Sequence, residues 1–294
     1  MNKVLNFGSL NVDYVYQVDH MLREGETQAS SGMEIFLGGK GFNQSCALAK
    51  AGVEVYHAGI IGDDGGAFIP VCDEYGINSK YIKTMEGKGG HTIIQIDRNA
   101  QNSILLFGGT NRKVDKEFVD SVLAEFGKGD YLLLQNEISC LDYIIDKAYE
   151  IGMTIILNPA PFDSNLDSCD MSKITYFILN EIEGAQLSGV ENPDEIIKGI
   201  LSKYADAKIV LTLGGDGAIY ADNTVKIVKQ PIYEVKAVDT TAAGDTFTGY
   251  FIAGLLKGMP VEEVMNLCAK ASSITVSRKG ASPSIPTWEE VTKL

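Results

Sequence analysis

The chain has 294 residues, 45% of them hydrophobic and 22% charged, with a formal net charge of -14. That length and apolar content allow one large core or two smaller ones. The acidic balance argues against non-specific binding to nucleic acid or to an anionic membrane, but leaves open a phosphorylated ligand held by local backbone amides and a metal.

The five cysteines, Cys46, Cys72, Cys140, Cys169 and Cys268, form no C-x-x-C pair. An odd count without such pairs fits a reducing cytoplasm better than a disulfide framework or a zinc site. The opening "MNKVLNFGSLNVD" turns polar too early for a signal peptide, and no apolar run reaches membrane-spanning length. The expectation is a cytoplasmic globular protein.

"VDYVYQVD", residues 12 to 19, alternates like a half-exposed strand. "GGKGFNQSCALAKAG", residues 38 to 52, reads as a strand-to-helix turn. Gly38, Gly39 and Gly41 permit tight backbone geometry beside a ligand, while Ala47, Leu48 and Ala51 follow with helical spacing and Gly52 closes the helix. Lys40 and Asn43 fall in its first turn. The stretch completes no nucleotide fingerprint: Gln44 stands where G-x-G-x-x-G counted from Gly39 needs glycine, and Gly41 follows the lysine where a P-loop needs Ser or Thr. Taken alone, a solvated lysine on an ordinary turn explains it as well. "GDDGGAF", residues 62 to 68, reads as a loop with a helix cap. "HTIIQIDRNAQNSILLF", residues 91 to 107, reads as two strands with a polar turn at 98 to 102. These strands and the one at 12 to 19 are expected to form a small projecting sheet, the alternative being an edge hairpin.

In the centre, "YLLLQ" (131 to 135), "MTIILN" (153 to 158), "YFILN" (176 to 180) and "KIVLTLG" (208 to 214) suit strands buried on both faces. Helical patterns separate them, as in "SCLDYIIDKAYEIG", with Ser139 as a candidate N-cap and Gly152 as a C-cap. The fold class predicted is α/β: a doubly wound, mostly parallel sheet flanked by helices. Each central strand ends in polar or small residues, Gln135 to Glu137, Asn158 to Ala160, Asn180 and Glu181, Gly214 and Gly215. Ligands bind at the carboxyl ends of such strands, so these positions are expected to line one cleft. Any one of them could instead be a helix cap.

"TLGGDGAIY", residues 212 to 220, alone suggests only a tight turn between strands. "VDTTAAGDTFTGYFIAGLLKG", residues 238 to 258, is more pointed. Its apolar stretch predicts a helix, and Ala242, Ala243 and Gly244 clear side chains from the helix start. Amides there can cradle an anion, and Asp245 beside them can accept a proton from an attacking hydroxyl. Simple complementation of the helix dipole is the commoner role for such an acid, but needs no small-residue clearing.

Seven segments in order, "GSLNVDYV", "GGKGFNQS", "NPAP", "NEIE", "TLGGDG", "DTTAAGDTFTG" and "SRKGASPSIP", resemble the motifs of the ribokinase family of carbohydrate kinases over nearly the whole chain. The resemblance implies one α/β kinase domain over residues 1 to 294, with a β-sheet lid from about 12–36 and 91–110. It implies transfer of the γ-phosphate of ATP, with Mg2+, to a sugar hydroxyl, D-ribose being the favoured acceptor. Deoxyribose, fructose or a nucleoside is the alternative, and a sugar-binding regulator without catalysis a more distant one. Sugar contacts are implied for Asn11, Asp13, Gly39, Lys40, Asn43 and Glu137, with Asp245 as catalytic base and Ala242, Ala243 and Gly244 as the anion hole. Asn180 and Glu183 are implied near the phosphates and the water shell of Mg2+. Thr212, Leu213, Gly214, Gly215, Asp216 and Gly217 are implied along the nucleotide. A monovalent cation, K+, is implied at Asp239, Thr241, Thr275, Arg278, Gly280 and Ser284, and a homodimer is implied through the lid. The chain departs from the family pattern at Ala269, where members often place a histidine beside the adenine.

Overall fold

The computed structural model describes residues 2–99, 101–224 and 226–294. The chain runs through β1 (Val4–Phe7), β2 (Asn11–Gln17), β3 (Gly32–Gly38), α1 (Lys40–Lys50), β4 (Val55–Ile61), α2 (Phe68–Tyr75), β5 (Asn78–Thr84), β6 (Gly90–Ile96) and β7 (Asn102–Phe107). It continues through α3 (Lys116–Leu123), β8 (Tyr131–Gln135), α4 (Leu141–Glu150), β9 (Thr154–Asn158), β10 (Tyr176–Asn180), α5 (Glu181–Ser188), α6 (Pro193–Lys203) and β11 (Lys208–Thr212). The last elements are β12 (Ala218–Ala221), β13 (Ile227–Gln230), α7 (Ala243–Leu256), α8 (Val261–Val276) and α9 (Trp288–Thr292).

Nine strands form the large sheet, in the order β13-β12-β11-β10-β9-β8-β1-β4-β5. The strands from β5 to β11 pair in parallel, and β12 and β13 add an antiparallel edge. The apolar runs behave as expected of strands buried on both faces. Leu133, Ile156, Ile178 and Val210 pack with α1, α2, α7 and α8 on one side. Leu132, Leu134, Ile155, Leu157 and Phe177 pack with α3, α4, α5 and α6 on the other. Burying each such side chain contributes ~1.5–3 kcal/mol, which makes the two apolar faces the main stabilising term.

Strand order reverses at β1. The chain builds outward from it to β4 and β5, then returns to β8 on its other side. Such a switch opens a crevice at the carboxyl ends of the strands. Gly8–Ser9, Gln135–Glu137, Asn158, Asn180 and Thr212 all follow or end strands there.

The second sheet has four strands in the order β3-β2-β6-β7. β2 pairs antiparallel with β3 and parallel with β6, and β6 pairs antiparallel with β7. The strands read at 12 to 19 and 91 to 107 are all present, and β3 joins them. The turn expected at 98 to 102 includes Ala100, which lies outside the described residues. Met33, Ile35, Ile93, Ile104, Leu105, Leu106 and Phe107 are exposed on this sheet.

Helix starts differ from one another. Asn180 and Glu183 form a capping box on α5, and Asn192 caps α6 ahead of Pro193. The cap expected from Ser139 is not made: α4 starts after Cys140, which takes a left-handed φ of 59° and makes no side-chain cap. Gly152, φ 78°, ends the turn after α4 as expected. Among the described residues, no helix is long and apolar enough to cross a membrane.

Candidate active site

α7 begins with Ala242 in the left-handed region, φ 60°, without a side-chain cap. The Ala243 amide turns back to Thr240 O at 3.3 Å. Among the described residues, no protein acceptor pairs with the amides of Ala242, Gly244 and Asp245. Unpaired donors and the helix dipole favour negative charge at this point. Asp245, in the first turn, is 8% exposed. Its Oδ1 accepts from Gln44 Nε2 at 2.9 Å and its Oδ2 from Asn43 Nδ2 at 3.3 Å, both from α1.

The N-terminus of α1 is capped from other elements. Gly41 N–H donates to Ser9 Oγ (3.2 Å), Phe42 N–H to Ser9 O (3.0 Å), and Lys40 N–H to Glu137 Oε2 (3.1 Å). Gly41 has to be glycine, because a Cβ there would lie 2.3 Å from the Ser9 nitrogen. Ser9 Oγ also donates to Glu137. Burial raises the Glu137 carboxyl above the usual range, against the hydrogen bond from Ser9 and the charge of Lys40. Burial pulls the half-buried Lys40 down, but the carboxylates of Asp245, Glu137 and Glu183 outweigh it and leave Lys40 raised. The ammonium is therefore held charged among three acids.

Beside this cluster, Asn43 Oδ1 is buried without a hydrogen-bond partner. A buried acceptor left open is costly unless a ligand hydroxyl meets it. Asn11 is buried, and its Oδ1 accepts from Asn111 Nδ2 at 2.7 Å. On the small sheet Asp13 pairs across strands with Thr92, whose hydroxyl donates to Asp13 Oδ1. Burial pushes the Asp13 carboxyl up to about 6, opposed by the Thr92 hydrogen bond and helped by the charge of Glu137.

On the other side of Gly244 lies a largely apolar cleft of about 640 Å³. Thr212, Gly214, Gly215, Gly217, Phe247, Ala269 and Val276 are among its lining residues. Gly217, φ 95°, sits where a Cβ would be 2.1 Å from Gln230 O. Leu213 and Asp216 line a separate depression with Asn192 and Lys229, so the loop presents alternate residues to two sides. Ala269 is on the cleft wall, where it leaves room rather than a polar contact.

Asn180 and Glu183 spend most of their hydrogen bonds on their own helix. Glu183 Oε2 accepts from Asn180 N–H (3.0 Å) and Oε1 from Asn180 Nδ2 (3.1 Å). Burial raises the Glu183 carboxyl. Among the described residues, no group of three or more His, Cys, Asp and Glu is arranged to hold a metal.

The loop before α7 is tied to the segment after α8. Asp239 Oδ1 accepts from Thr241 N–H (2.9 Å) and Oδ2 from Gly280 N–H (3.0 Å), while Val238 N–H donates to Val276 O (2.7 Å). Thr275 is buried near the end of α8, and its Oγ1 lies 3.0 Å from Thr246 Oγ1. Ser284 is buried with its hydroxyl on Ala281 O. The Arg278 guanidinium pairs with Glu290 at 2.6 Å.

Four polar residues at the site, Asn6, Ser9, Thr92 and Asn111, had no role assigned from the sequence. The only signal for Asn6 is an amide inside the apolar run "VLNF".

The family model described as pfkB family carbohydrate kinase matches residues 1–288. The chain belongs to the pfkB family of carbohydrate kinases. It is a sugar kinase of that family. It is 34% identical to the ribokinase of Haemophilus influenzae, covering 99% of this chain and 97% of that one. It is 31% identical to the deoxyribokinase of Salmonella typhi, over 96% and 95% of the two chains. The structure of Arabidopsis thaliana ribokinase complexed with ribose and ATP superposes with a TM-score of 0.87 at 28% identity, over 100% of this chain and 98% of that one. The doubly wound sheet with a small second sheet is thus the architecture of this pfkB kinase and its structural neighbours.

Proposed function

We propose that this kinase transfers the γ-phosphate of ATP to D-ribose, giving ribose 5-phosphate, with Asp245 as general base. The observation that carries the reading is the position of Asp245 between two half-sites. Its carboxylate is hydrogen-bonded to Asn43 beside an open buried acceptor, and the adjacent Gly244 lines the apolar cleft. A furanose with several hydroxyls suits Asn11, Asp13, Asn43 and Glu137, a set rich in acceptors, with the Gly39–Lys40 turn beside it. The nucleotide lies along the cleft past Thr212, Gly214, Gly215 and Gly217. Asp245 takes the proton from the attacking hydroxyl. Of the expected anion hole, Ala242 and Gly244 keep free amides to stabilise charge on the transferring group, and the Asp245 amide joins them in place of Ala243, whose N–H is turned to Thr240 O. The small sheet closes over the sugar and keeps water from competing as acceptor.

Bound Mg2+ would neutralise charge on the phosphate oxygens. The oxygen donors Asn180 and Glu183 suit it, and because the Glu183 oxygens already accept three hydrogen bonds, contact through water fits best. A K+ ion fits the carbonyls and hydroxyls of Asp239, Thr241, Thr275, Arg278, Gly280 and Ser284, where it would stiffen the loop leading into α7. The exposed apolar face of the small sheet supports a homodimer through the lid.

The test is ATP consumption against a panel of D-ribose, 2-deoxyribose, fructose and nucleosides, with and without K+. D-ribose should give the highest kcat/KM. A preference for 2-deoxyribose, the substrate named for the Salmonella relative, would replace ribose and keep the chemistry. Tight sugar binding with no turnover would overturn the kinase mechanism.

A further inference from the structure

We infer that Gln44 is a positioning residue that makes Asp245 Oδ2, and not Oδ1, the oxygen that accepts the proton. The inference rests on Asp245 being the base.

Gln44 is fully buried, and both ends of its amide are engaged. Nε2 donates to Asp245 Oδ1 (2.9 Å) and to Asn158 Oδ1 (3.0 Å), and Oε1 accepts from Gln135 Nε2 (2.6 Å). Gln135 Nε2 also donates to Asn6 Oδ1 (3.0 Å). Asn6 Nδ2 in turn donates to Gly41 O (2.6 Å) and Ser45 Oγ (2.8 Å). An ionised carboxylate is acceptor-only and a backbone carbonyl is acceptor-only, so the two ends of this chain dictate every amide orientation between them. Rotating Gln44 would set its carbonyl against Asp245 and its NH2 against the NH2 of Gln135. The conformer is therefore locked from the protein interior, without contact to substrate.

The consequence falls on the two oxygens of Asp245 unequally. Oδ1 faces a short contact from a donor that cannot surrender its proton. Oδ2 has only the longer 3.3 Å contact from Asn43 Nδ2, beside the open Asn43 Oδ1. The charged groups around the acid are Lys40 of α1, Glu137 after β8 and Glu183 of α5, with the Cys46 thiol of α1 behind them. None of these hydrogen-bonds to Oδ1, which is met by Gln44. Asn158 extends the same chain, donating to Ile178 O (3.0 Å) and Glu183 Oε2 (3.4 Å). The base and the acid assigned to the metal side are thus held in one hydrogen-bonded frame.

Three variants test it, with steady-state kinetics on Mg-ATP and the sugar that turns over fastest. Gln44→Met keeps the size and removes the donor. We expect kcat to fall ~10-fold or more, with both KM values within about twofold, as for a misoriented reacting group. Gln135→Met touches neither Asp245 nor substrate but frees the Gln44 amide, and should lower kcat in the same KM-neutral way. Gln44→Glu keeps the acceptor for Gln135 and loses the donor at neutral pH. It should recover part of its kcat, relative to Gln44→Met, as pH is lowered and the new carboxyl protonates. Gln44→Met at wild-type kcat would overturn the inference, as would kcat and KM for sugar worsening together in folded Gln135→Met protein. If Asp245→Asn also retained wild-type kcat, the base assignment itself would be what failed.

Discussion

Ala47 of α1 and Gly249 of α7 touch backbone to backbone: a Cβ on Gly249 would lie 2.4 Å from the Ala47 Cβ and 2.8 Å from its carbonyl carbon. This close approach brings Asn43 and Gln44 within hydrogen-bond reach of Asp245. Gly249→Ala should force the two helices apart at a cost of ~1–3 kcal/mol, the range for overpacking. Chemical denaturation would read the loss, and kcat should fall beyond what the unfolded fraction explains. A variant with full stability and full turnover would show that the spacing is not critical.

Asp245→Asn should fold normally and lose ~10² or more in kcat, the scale of a positioned general base. Its carbonyl can still accept from Gln44, and its NH2 can donate to the open Asn43 Oδ1 once the Asn43 amide turns over, so thermal unfolding should differ little from wild type. Sugar binding measured by calorimetry should persist, which separates loss of chemistry from loss of the site.

Sugar affinity should depend on the Asp13 carboxyl, held at about 6 chiefly by burial. On the proposed reading the ionised form accepts sugar hydroxyls, so binding should be full above about 6 and weaken as pH falls through that value. Thr92→Val removes the hydrogen bond that favours the ionised form. It should weaken sugar binding by about 10-fold near neutral pH, the scale of a lost hydrogen bond to a charged group. It should also move the acid limb of the binding profile to higher pH. Titration calorimetry across pH 5 to 8 reads both effects, and a profile unchanged by the substitution would remove Asp13 from this role.

Leu105 is 67% exposed in the middle of β7, on the face it shares with Ile35 and Ile93 and opposite Asp13. If that face is the dimer contact, Leu105→Glu should convert the dimer to monomer in sedimentation velocity runs while leaving the melting of the large sheet intact. Wild-type protein that sediments as a monomer would dispose of the dimer directly.

The layered core was legible because the apolar runs at β8, β9, β10 and β11 have the length and continuity of strands covered on both faces. β3 was harder to see, since Phe36 between Ile35 and Leu37 breaks the alternation that Met33, Glu34 and Ile35 begin. The capping role expected of Ser139 failed on local geometry: a left-handed Cys140 separates it from the helix. Of the site, the small-residue clearing before Asp245 and the glycines around Lys40 could be read, because they are contiguous. Gln44 stood in plain view as the residue that spoils a nucleotide fingerprint, but its partners Gln135, Asn158 and Asp245 are 91, 114 and 201 residues away. No periodicity marks a side-chain network of that span. The loop proposed for the nucleotide was half legible: its glycines suit close backbone approach, but which of Leu213 to Gly217 face the cleft depends on a tight turn at 214–216.

The parallel pairing of β2 with β6 sets an order of events during folding. Asp13 meets Thr92 only after the intervening 78 residues, which include β4 and β5 of the large sheet, have looped back across the molecule. Such non-local closure is slow relative to hairpin formation. The β2–β3 and β6–β7 pairings close shorter loops, whereas the Asp13–Thr92 pairing must close a much longer one. A nascent chain released before β6 emerges would hold β1, β4 and β5 but lack the partner strand that brings Thr92 to Asp13.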